Sequence, residues 1–152
     1  MSPRIVTGHA ALAAALILSC TPALAGPATD VVASIYAQPA TEFDPAKRDL
    51  YTGAARTQLD RNDAILATGE FGCIDFGFAY DAQDYNEKEI ARSLRFSEKV
   101  KGNDVTVIAS FVNFRQPTEI EWDLRKIDGK WKIVDVASLT GGWRLSEFDC
   151  SM

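Results

Sequence analysis

Residues 118–139 read TEIEWDLRKIDGKWKIVDVASL, and this stretch decides the fold class. In its first half apolar and charged residues alternate, so that Ile120, Trp122 and Leu124 share one face of a β-strand. Asp128-Gly129 is typical of a two-residue turn between antiparallel strands, because such turns require a positive φ at both positions. The stretch therefore predicts a β-hairpin with strands over 118–127 and 130–139.

The two-residue turn also predicts which residues face each other across the hairpin. Counting outward from the turn places Leu124 opposite Ile133 and Trp122 opposite Asp135. Asp135 is therefore expected on the apolar face beside Trp122, where a carboxylate must be hydrogen-bonded or uncharged. We interpret Asp135 as a structural acceptor for the Trp122 indole or a loop backbone, and keep a pocket acid as the alternative.

The chain before the hairpin is predicted to hold two further strands and two helical segments. Two-residue periodicity predicts strands over 90–100 and 105–114, with Ile90, Leu94, Phe96 and Val100 on one face of the first. Helical patterns cover 31–36 and 46–68, the second beginning at Asp44-Pro45 and broken near Gly53. Helices followed by antiparallel strands predict an α+β fold, with the helices packed on one face of a curved sheet.

Between the helices and the sheet, residues 70–89 follow no regular period and mix glycines, aromatic residues and acids. We predict a long ordered loop here, since loops of this kind often carry function. Its candidate binding residues are Asp75, Tyr80, Gln83 and Tyr85. The acids of the loop lack the spacing and central glycine of an EF-hand, so no metal site is predicted.

The 152-residue chain is long enough for one domain, and its first 25 residues have the features of a secretory signal peptide. Arg4 precedes an apolar run over 10–18, which ends in Ala23-Leu24-Ala25. We expect cleavage after Ala25, a single domain over 26–152 without a transmembrane span, and a periplasmic or secreted protein. Cys20 offers the alternative of a lipid anchor, because Ile17-Leu18-Ser19-Cys20 resembles a bacterial lipoprotein box.

The charge of the expected mature domain excludes several function classes. Without Arg4, 15 basic residues stand against 21 acidic ones, a formal net charge of −6. An acidic protein without a basic stripe repels phosphate backbones, so nucleic acid is not an expected partner. The only histidine, His9, lies in the signal segment. Catalytic mechanisms that use histidine and zinc sites with histidine ligands are therefore excluded for the mature chain, and no cofactor is predicted.

Two cysteines remain in the mature chain, Cys73 and Cys150. In an oxidising compartment such a pair predicts a disulfide bond. A redox role is the alternative, but the pair lacks the Cys-x-x-Cys spacing that lowers the pKa of a reactive thiol.

The segment Gly129-Lys130-Trp131-Lys132-Ile133-Val134-Asp135-Val136, together with the helix–loop–meander order, resembles the closing strand of the nuclear transport factor 2-like superfamily. The loop over 75–85 is similar to that of a small branch of exported bacterial proteins of unknown function. The resemblance implies a cone of curved sheet and helices around a central pocket, and a homodimer by analogy. Members of that superfamily include enzymes, ligand carriers and interaction modules, so the fold does not decide the function.

Three hypotheses of function follow. The preferred one is a non-catalytic exported module that binds a small apolar ligand or peptide in a central pocket lined by Trp122 and the loop aromatics. The second is an inhibitor or immunity protein that binds a basic envelope enzyme, since opposite charges accelerate encounter. The third is a histidine-free isomerase or lyase with Asp135 as the base and tyrosines as donors.

Overall fold

The computed structural model describes residues 26–151. Helices occupy the first part of this range and a five-stranded antiparallel sheet the second, which confirms the α+β class. The α-helices are α1 (Pro27–Ile35), α2 (Gly53–Ala67) and α3 (Glu87–Ser93), with short 3₁₀ helices at Thr41–Phe43, Pro45–Leu50 and Leu145–Glu147. The strands are β1 (Arg95–Lys101), β2 (Asp104–Asn113), β3 (Gln116–Ile127), β4 (Lys130–Ser138) and β5 (Trp143–Arg144). The predicted signal peptide and Cys20 lie outside the described residues.

The sheet has one face in the core, and its strands follow one another in chain order from β1 to β5. Along β2 every second residue is buried, as the alternation predicted, so that Val107 and Phe111 face the core. Helix α1 contacts β1, β2 and β4, and α2 packs on β4. The helices therefore cover the face of the sheet that carries Trp122. The opposite, outer face carries most of the charged side chains of the sheet, with the half-buried Ile108 and Val112 among them.

The β3–β4 hairpin has the predicted turn but a different register beyond its first few pairs. Pairing follows the prediction as far as Leu124 opposite Ile133. Strand β4 then has one extra residue, a β-bulge, and Trp122 lies opposite Val136. A shift of one residue moves the following side chains to the other face of a sheet. The prediction that Asp135 lies beside Trp122 was therefore wrong.

The bulge lies where β4 meets a second stretch of backbone. Tyr51 forms an isolated parallel bridge with Ile133, and the Thr52 backbone N–H donates a hydrogen bond to the Ile133 carbonyl oxygen at 2.8 Å. Ile133 thus pairs with β3 on one side and with the Tyr51-Thr52 segment on the other. The residues of β4 that follow Ile133 continue in the shifted register. Because the hydrogen bond joins Thr52 to Ile133, which lie 81 positions apart in the chain, the local pattern of the hairpin could not reveal it.

The predicted second helix is divided into two. Asp44 begins the first piece as expected, since its carboxylate accepts a hydrogen bond from the Ala46 backbone N–H at 2.9 Å. That piece is a 3₁₀ helix that ends at Leu50, and α2 begins at Gly53, which confirms the break predicted there. The intervening Tyr51-Thr52 is the extended segment that pairs with β4.

The strand predicted over residues 90–100 begins later than expected. Residues 87–93 form α3, whose N-cap Asn86 accepts a hydrogen bond from the Glu89 backbone N–H at 3.1 Å. Ile90 and Leu94 are four residues apart, a spacing that puts them on one helix face as readily as on one strand face. The placement of Ile90 on a strand was therefore wrong, and β1 begins at Arg95.

The predicted disulfide bond between Cys73 and Cys150 is present, with the two Cα atoms 5.3 Å apart. The same C-terminal segment is attached to α2, because Gln58 Nε2 donates hydrogen bonds to the carbonyl oxygens of Phe148 and Ser146 at 2.9 and 3.2 Å. The end of the chain is thus fixed to the middle by a covalent bond and two hydrogen bonds. Within residues 26–151, no helix has the length and apolar character needed to span a membrane.

Candidate functional site

Four charged residues form a compact cluster on the outer face of the sheet, which we call the Arg144 cluster: Glu121, Asp123, Asp135 and Arg144. Strand β5 pairs with β4 so that Arg144 lies opposite Ala137, between the three acids. Arg144 Nη1 donates to Asp123 Oδ2 at 2.9 Å and to Asp135 Oδ2 at 3.2 Å, and Nη2 donates to Glu121 Oε1 at 2.7 Å. Partial burial lowers the pKa of the guanidinium, but these hydrogen bonds outweigh burial and raise the pKa above its ordinary value. Three carboxylates around one cation leave the cluster with a negative surplus.

Asp135 acts as a structural acceptor within this cluster. Its Oδ1 accepts hydrogen bonds from the backbone N–H groups of Val136 and Ser146 at 2.9 and 3.1 Å. Its Oδ2 accepts from the Ser146 hydroxyl at 2.7 Å, in addition to Arg144. Both oxygens are thus occupied, and the carboxylate joins β4 to the C-terminal 3₁₀ helix. A base must present a free lone pair to its substrate, so this arrangement does not favour Asp135 in that role.

Trp122 belongs to the core. It is completely buried, and its ring lies against Tyr36 and Phe78 at centroid distances of 5.9 and 6.2 Å. The indole N–H donates to the Tyr36 hydroxyl at 3.2 Å, and that hydroxyl donates to the Ala79 carbonyl oxygen at 2.8 Å. The polar atom of Trp122 is therefore satisfied inside the protein, and the centre of the predicted pocket is filled by aromatic rings.

The structure brings the candidate loop residues together in two pairs. Tyr80 and Tyr85 stack with ring centroids 4.0 Å apart, and Gln83 Nε2 donates a long hydrogen bond of 3.5 Å to the Asp75 carbonyl oxygen. Within residues 26–151, no hydrogen bond joins any of these four to Asp135. The sequence therefore placed them correctly on one loop, but they do not form a single site with Asp135.

Asp81 fixes this loop to the end of the sheet. Its two carboxylate oxygens accept hydrogen bonds from Trp143 Nε1 at 2.6 Å and from the Ser138 hydroxyl at 2.7 Å. Asp81 has a φ of 53°, a left-handed conformation that aspartate adopts more readily than bulkier residues. The loop is thus held by one of the acids that the sequence analysis tested only against the EF-hand pattern.

Glu42 is a buried carboxyl group that sequence reasoning missed. Only 1% of its surface is exposed, and its Oε2 has no hydrogen-bond partner. Burial raises the pKa of Glu42. Burial is also the main cause of the raised pKa values of Tyr51 and Tyr80, and the charge of Glu42 adds to both. The Tyr51 hydroxyl is also without a partner. A carboxyl group among tyrosines can serve acid–base chemistry, but Glu42 is buried and has no access to a substrate. Its burial affects the stability of the fold instead.

Within residues 26–151, no group of three or more histidine, cysteine, aspartate or glutamate side chains could hold a metal ion. The exposed apolar side chains are more informative. Phe71 has 94% of its surface in solvent, in the segment between α2 and the disulfide bond, and Leu66 near the end of α2 is 51% exposed. A hollow of about 440 Å³ lies there, lined by Ile65, Thr68, Glu70, Phe71, Cys73, Asp149 and Ser151.

The β2–β3 hairpin exposes a second phenylalanine on a strained turn. Phe114 and Arg115 occupy its two turn positions with φ values of 47° and 65°. Such turns favour asparagine or glycine, because a Cβ atom crowds the backbone at positive φ. Asp128-Gly129 meets this requirement in the next hairpin. Phe114 is 57% exposed, and the Arg115 backbone N–H donates to the Glu89 carboxylate at 3.2 Å.

Comparisons of sequence find neither a protein family nor a curated protein that matches this chain. Comparison of structure does find likenesses. A chain of the native type VI effector-immunity complex Tae3-Tai3 from Ralstonia pickettii matches with a TM-score of 0.54 and 16% identity, covering 76% of this chain and 97% of that chain. A chain of the selenomethionine form of the same complex matches with a TM-score of 0.53 and 14% identity, covering 75% and 97% of the two chains. At this identity the likeness shows a shared fold, and the resemblance to nuclear transport factor 2-like proteins stays a prediction.

Proposed function

We propose that this protein is an exported immunity-type protein, which binds a toxic effector protein in the cell envelope and blocks its action. The proposal rests chiefly on one observation. The fold is shared with a chain of an effector-immunity complex over 97% of that chain's length. A likeness over nearly a whole chain supports a comparable use of the fold more than a match to one motif does, although a fold alone does not decide function.

The charge and the disulfide bond support the same proposal. The mature chain carries a formal net charge of −6, and the Arg144 cluster keeps a surplus of carboxylates on the outer face of the sheet. An acidic protein attracts a basic partner over distances of about a Debye length and so accelerates their encounter. The Cys73–Cys150 bond is typical of an oxidising compartment, which fits action outside the cytoplasm.

The arrangement of the candidate site residues favours the immunity side of such a complex over the effector side. Both oxygens of Asp135 are occupied by donors, and Glu42 and Trp122 are buried. The hypothesis of a small apolar ligand has less support, because the rings of Trp122, Tyr36 and Phe78 fill the position where a central pocket was predicted. The homodimer expected by analogy stays a prediction.

A protection experiment tests the proposal. Each gene that flanks the one for this chain is expressed with an export signal in a bacterial host, alone or together with the full 152-residue chain. We expect one flanking product to lyse or arrest the host, and the full chain to restore growth. A matched version without residues 2–25 stays in the cytoplasm under this proposal and should not protect.

Two results would contradict the proposal. One is that no flanking product is toxic in the envelope, and the other is that the toxic product kills equally well with the full chain present. Protection by the version without residues 2–25 would preserve the immunity function but would contradict the envelope as its place of action.

A further inference from the structure

The segment between α2 and Cys73 presents a single large apolar side chain to solvent from a backbone that is fixed at both ends. We propose that this segment, Gly69–Gly72, is the contact element for the partner, and that Phe71 inserts into an apolar pocket of a basic partner protein. This inference rests on the proposed immunity function and names the surface that performs it.

The N-terminal end of the segment is fixed by the end of α2. Gly69 adopts a φ of 88°, and its backbone N–H donates to the Leu66 carbonyl oxygen at 3.1 Å. A glycine in this left-handed conformation ends a helix and turns the chain away from its axis. The direction in which the segment leaves α2 is therefore set by the backbone.

The C-terminal end is fixed by a side chain and by the disulfide bond. Asn62, which is 1% exposed, accepts a hydrogen bond from the Ile74 backbone N–H at 2.9 Å. A Cβ atom at Gly72 would collide with Asn62 Oδ1, so the chain passes this amide in close contact that only glycine permits. The next residue, Cys73, is bonded to Cys150. A flexible loop loses conformational entropy when it binds a partner. This segment has already lost most of that entropy on folding, so its binding costs less.

The exposure of Phe71 is the observation that points to a partner. Phe71 has 94% of its surface exposed, whereas the next most exposed large apolar residue among residues 26–151, Val100, has 62%. Aromatic side chains contribute large contact areas at low entropic cost, and they dominate the binding energy of many protein interfaces. A fixed loop with one exposed phenylalanine therefore has the form of an interface anchor.

The charges around Phe71 specify the chemistry of the partner. Residues 61–75 and 145–151 contain five acidic residues and one basic residue, Arg61. Glu70 and Asp149 line the hollow beside the ring. Around Phe114, by contrast, acids and bases are mixed, since Glu87 and Lys88 both line the adjacent hollow and the Arg115 backbone N–H donates to the Glu89 carboxylate. A basic partner is therefore attracted to the Phe71 side, and its apolar pocket is expected to be bordered by lysine or arginine.

The test measures binding of the full chain to the toxic flanking product identified by the protection experiment. We expect F71S to raise the dissociation constant by about 30-fold or more, because a central aromatic anchor is lost. F114S serves as the matched control, with an expected change of less than about twofold. Glu70→Lys should slow association by about threefold at low salt, while Asp84→Lys on the opposite end of the long loop should have little effect. Both phenylalanines are exposed, so neither variant should alter the melting temperature noticeably.

The outcomes separate this inference from the proposed function. If the wild-type chain neither protects nor binds, the immunity function and the contact element are both wrong. If the wild-type chain binds and F71S binds equally well, the immunity function stands and the contact element is wrong. If only F114S lost binding, the contact would lie at the β2–β3 turn, and the inference about Phe71 would be overturned.

Discussion

Asp135 lies directly opposite Asp123 across strands β3 and β4, and both carboxylates accept a hydrogen bond from the same nitrogen of Arg144, at 3.2 and 2.9 Å. Like charges in directly opposed positions destabilise a strand pair. The single guanidinium therefore offsets a repulsion that the register of the hairpin creates. Glu121 adds a third carboxylate to the same cation.

Replacing Arg144 by methionine should destabilise the protein by about 2 kcal/mol at neutral pH, because three partly buried carboxylates lose their common partner. Urea unfolding of the variant and the wild type at neutral pH measures the effect.

The matched control for this prediction is Arg125→Met. Arg125 forms an ion pair with Asp104 at 2.7 Å, and both side chains of that pair are 56% exposed. Exposed ion pairs contribute little to stability, so Arg125→Met should destabilise the protein much less than Arg144→Met does. Equal losses of stability in Arg144→Met and Arg125→Met would show that the Arg144 cluster contributes no more to stability than an exposed ion pair does.

Replacing Phe114-Arg115 by Asn-Gly should stabilise the protein by about 1–2 kcal/mol, because these residues adopt positive φ with less strain. The same molecule provides the comparison, since the β3–β4 turn already has Asp128-Gly129 in that conformation. Differential scanning calorimetry of the variant should give a higher melting temperature. A lower one would mean that contacts of the Phe114 ring outweigh the relief of backbone strain.

Local sequence features predicted the parts of the fold that local interactions determine. The Asp128-Gly129 turn, the alternation in β2 and the Asp44 N-cap each depend on residues a few positions apart, and the structure contains all three. The bulge in β4 lies instead beside Tyr51 and Thr52, which approach Ile133 only in the folded chain. The predicted position of Asp135 was wrong because the turn alone does not reveal this extra residue.

Helix α3 illustrates a different source of error. The spacing of Ile90 and Leu94 fits both a strand and a helix, and the capping hydrogen bond from the Glu89 backbone N–H to Asn86 decides in favour of the helix. Asn86 followed by acidic residues was a usable signal for a helix start. The sequence therefore held this information, although the two-residue period was given more weight.

The candidate site was less predictable than the fold. Burial of Glu42 and exposure of Phe71 run against the usual preference of each residue type, so no composition rule would find them. Phe71 is exposed on a segment that Asn62 and the disulfide bond fix in place. The disulfide bond was predictable, because Cys73 and Cys150 are the only two cysteines among residues 26–151.

Removing the disulfide bond should destabilise the protein by about 2–5 kcal/mol, since the bond closes a loop between residues 77 positions apart. The double variant Cys73→Ser, Cys150→Ser should show this loss in urea unfolding, and dithiothreitol should give the same result with the wild-type chain. If neither treatment changed the midpoint of unfolding, the hydrogen bonds from Gln58 to residues 146 and 148 would be sufficient to hold the C-terminal segment.

Glu42→Gln should remove a pH dependence of stability that the buried carboxyl group causes. Burial raises the pKa of Glu42 above its ordinary value of 4.5, so the folded state binds the proton more tightly than the unfolded state. The contribution of this group is therefore fully present below about pH 4.5 and is lost as the pH rises through the pKa of the folded state. The glutamine variant should match the wild type at about pH 4 and exceed its stability at about pH 8, by on the order of 1 kcal/mol.

The exposed Glu119→Gln is the matched control for Glu42→Gln, because Glu119 lies on the outer face of the sheet. Its difference from the wild type should stay below about 0.5 kcal/mol at both pH values. A constant difference between Glu42→Gln and the wild type across the pH range would mean that the Glu42 carboxyl group titrates alike in the folded and unfolded states. The raised pKa of Glu42 would then be wrong, and Oε2 of the ionised carboxylate would need a hydrogen-bond partner.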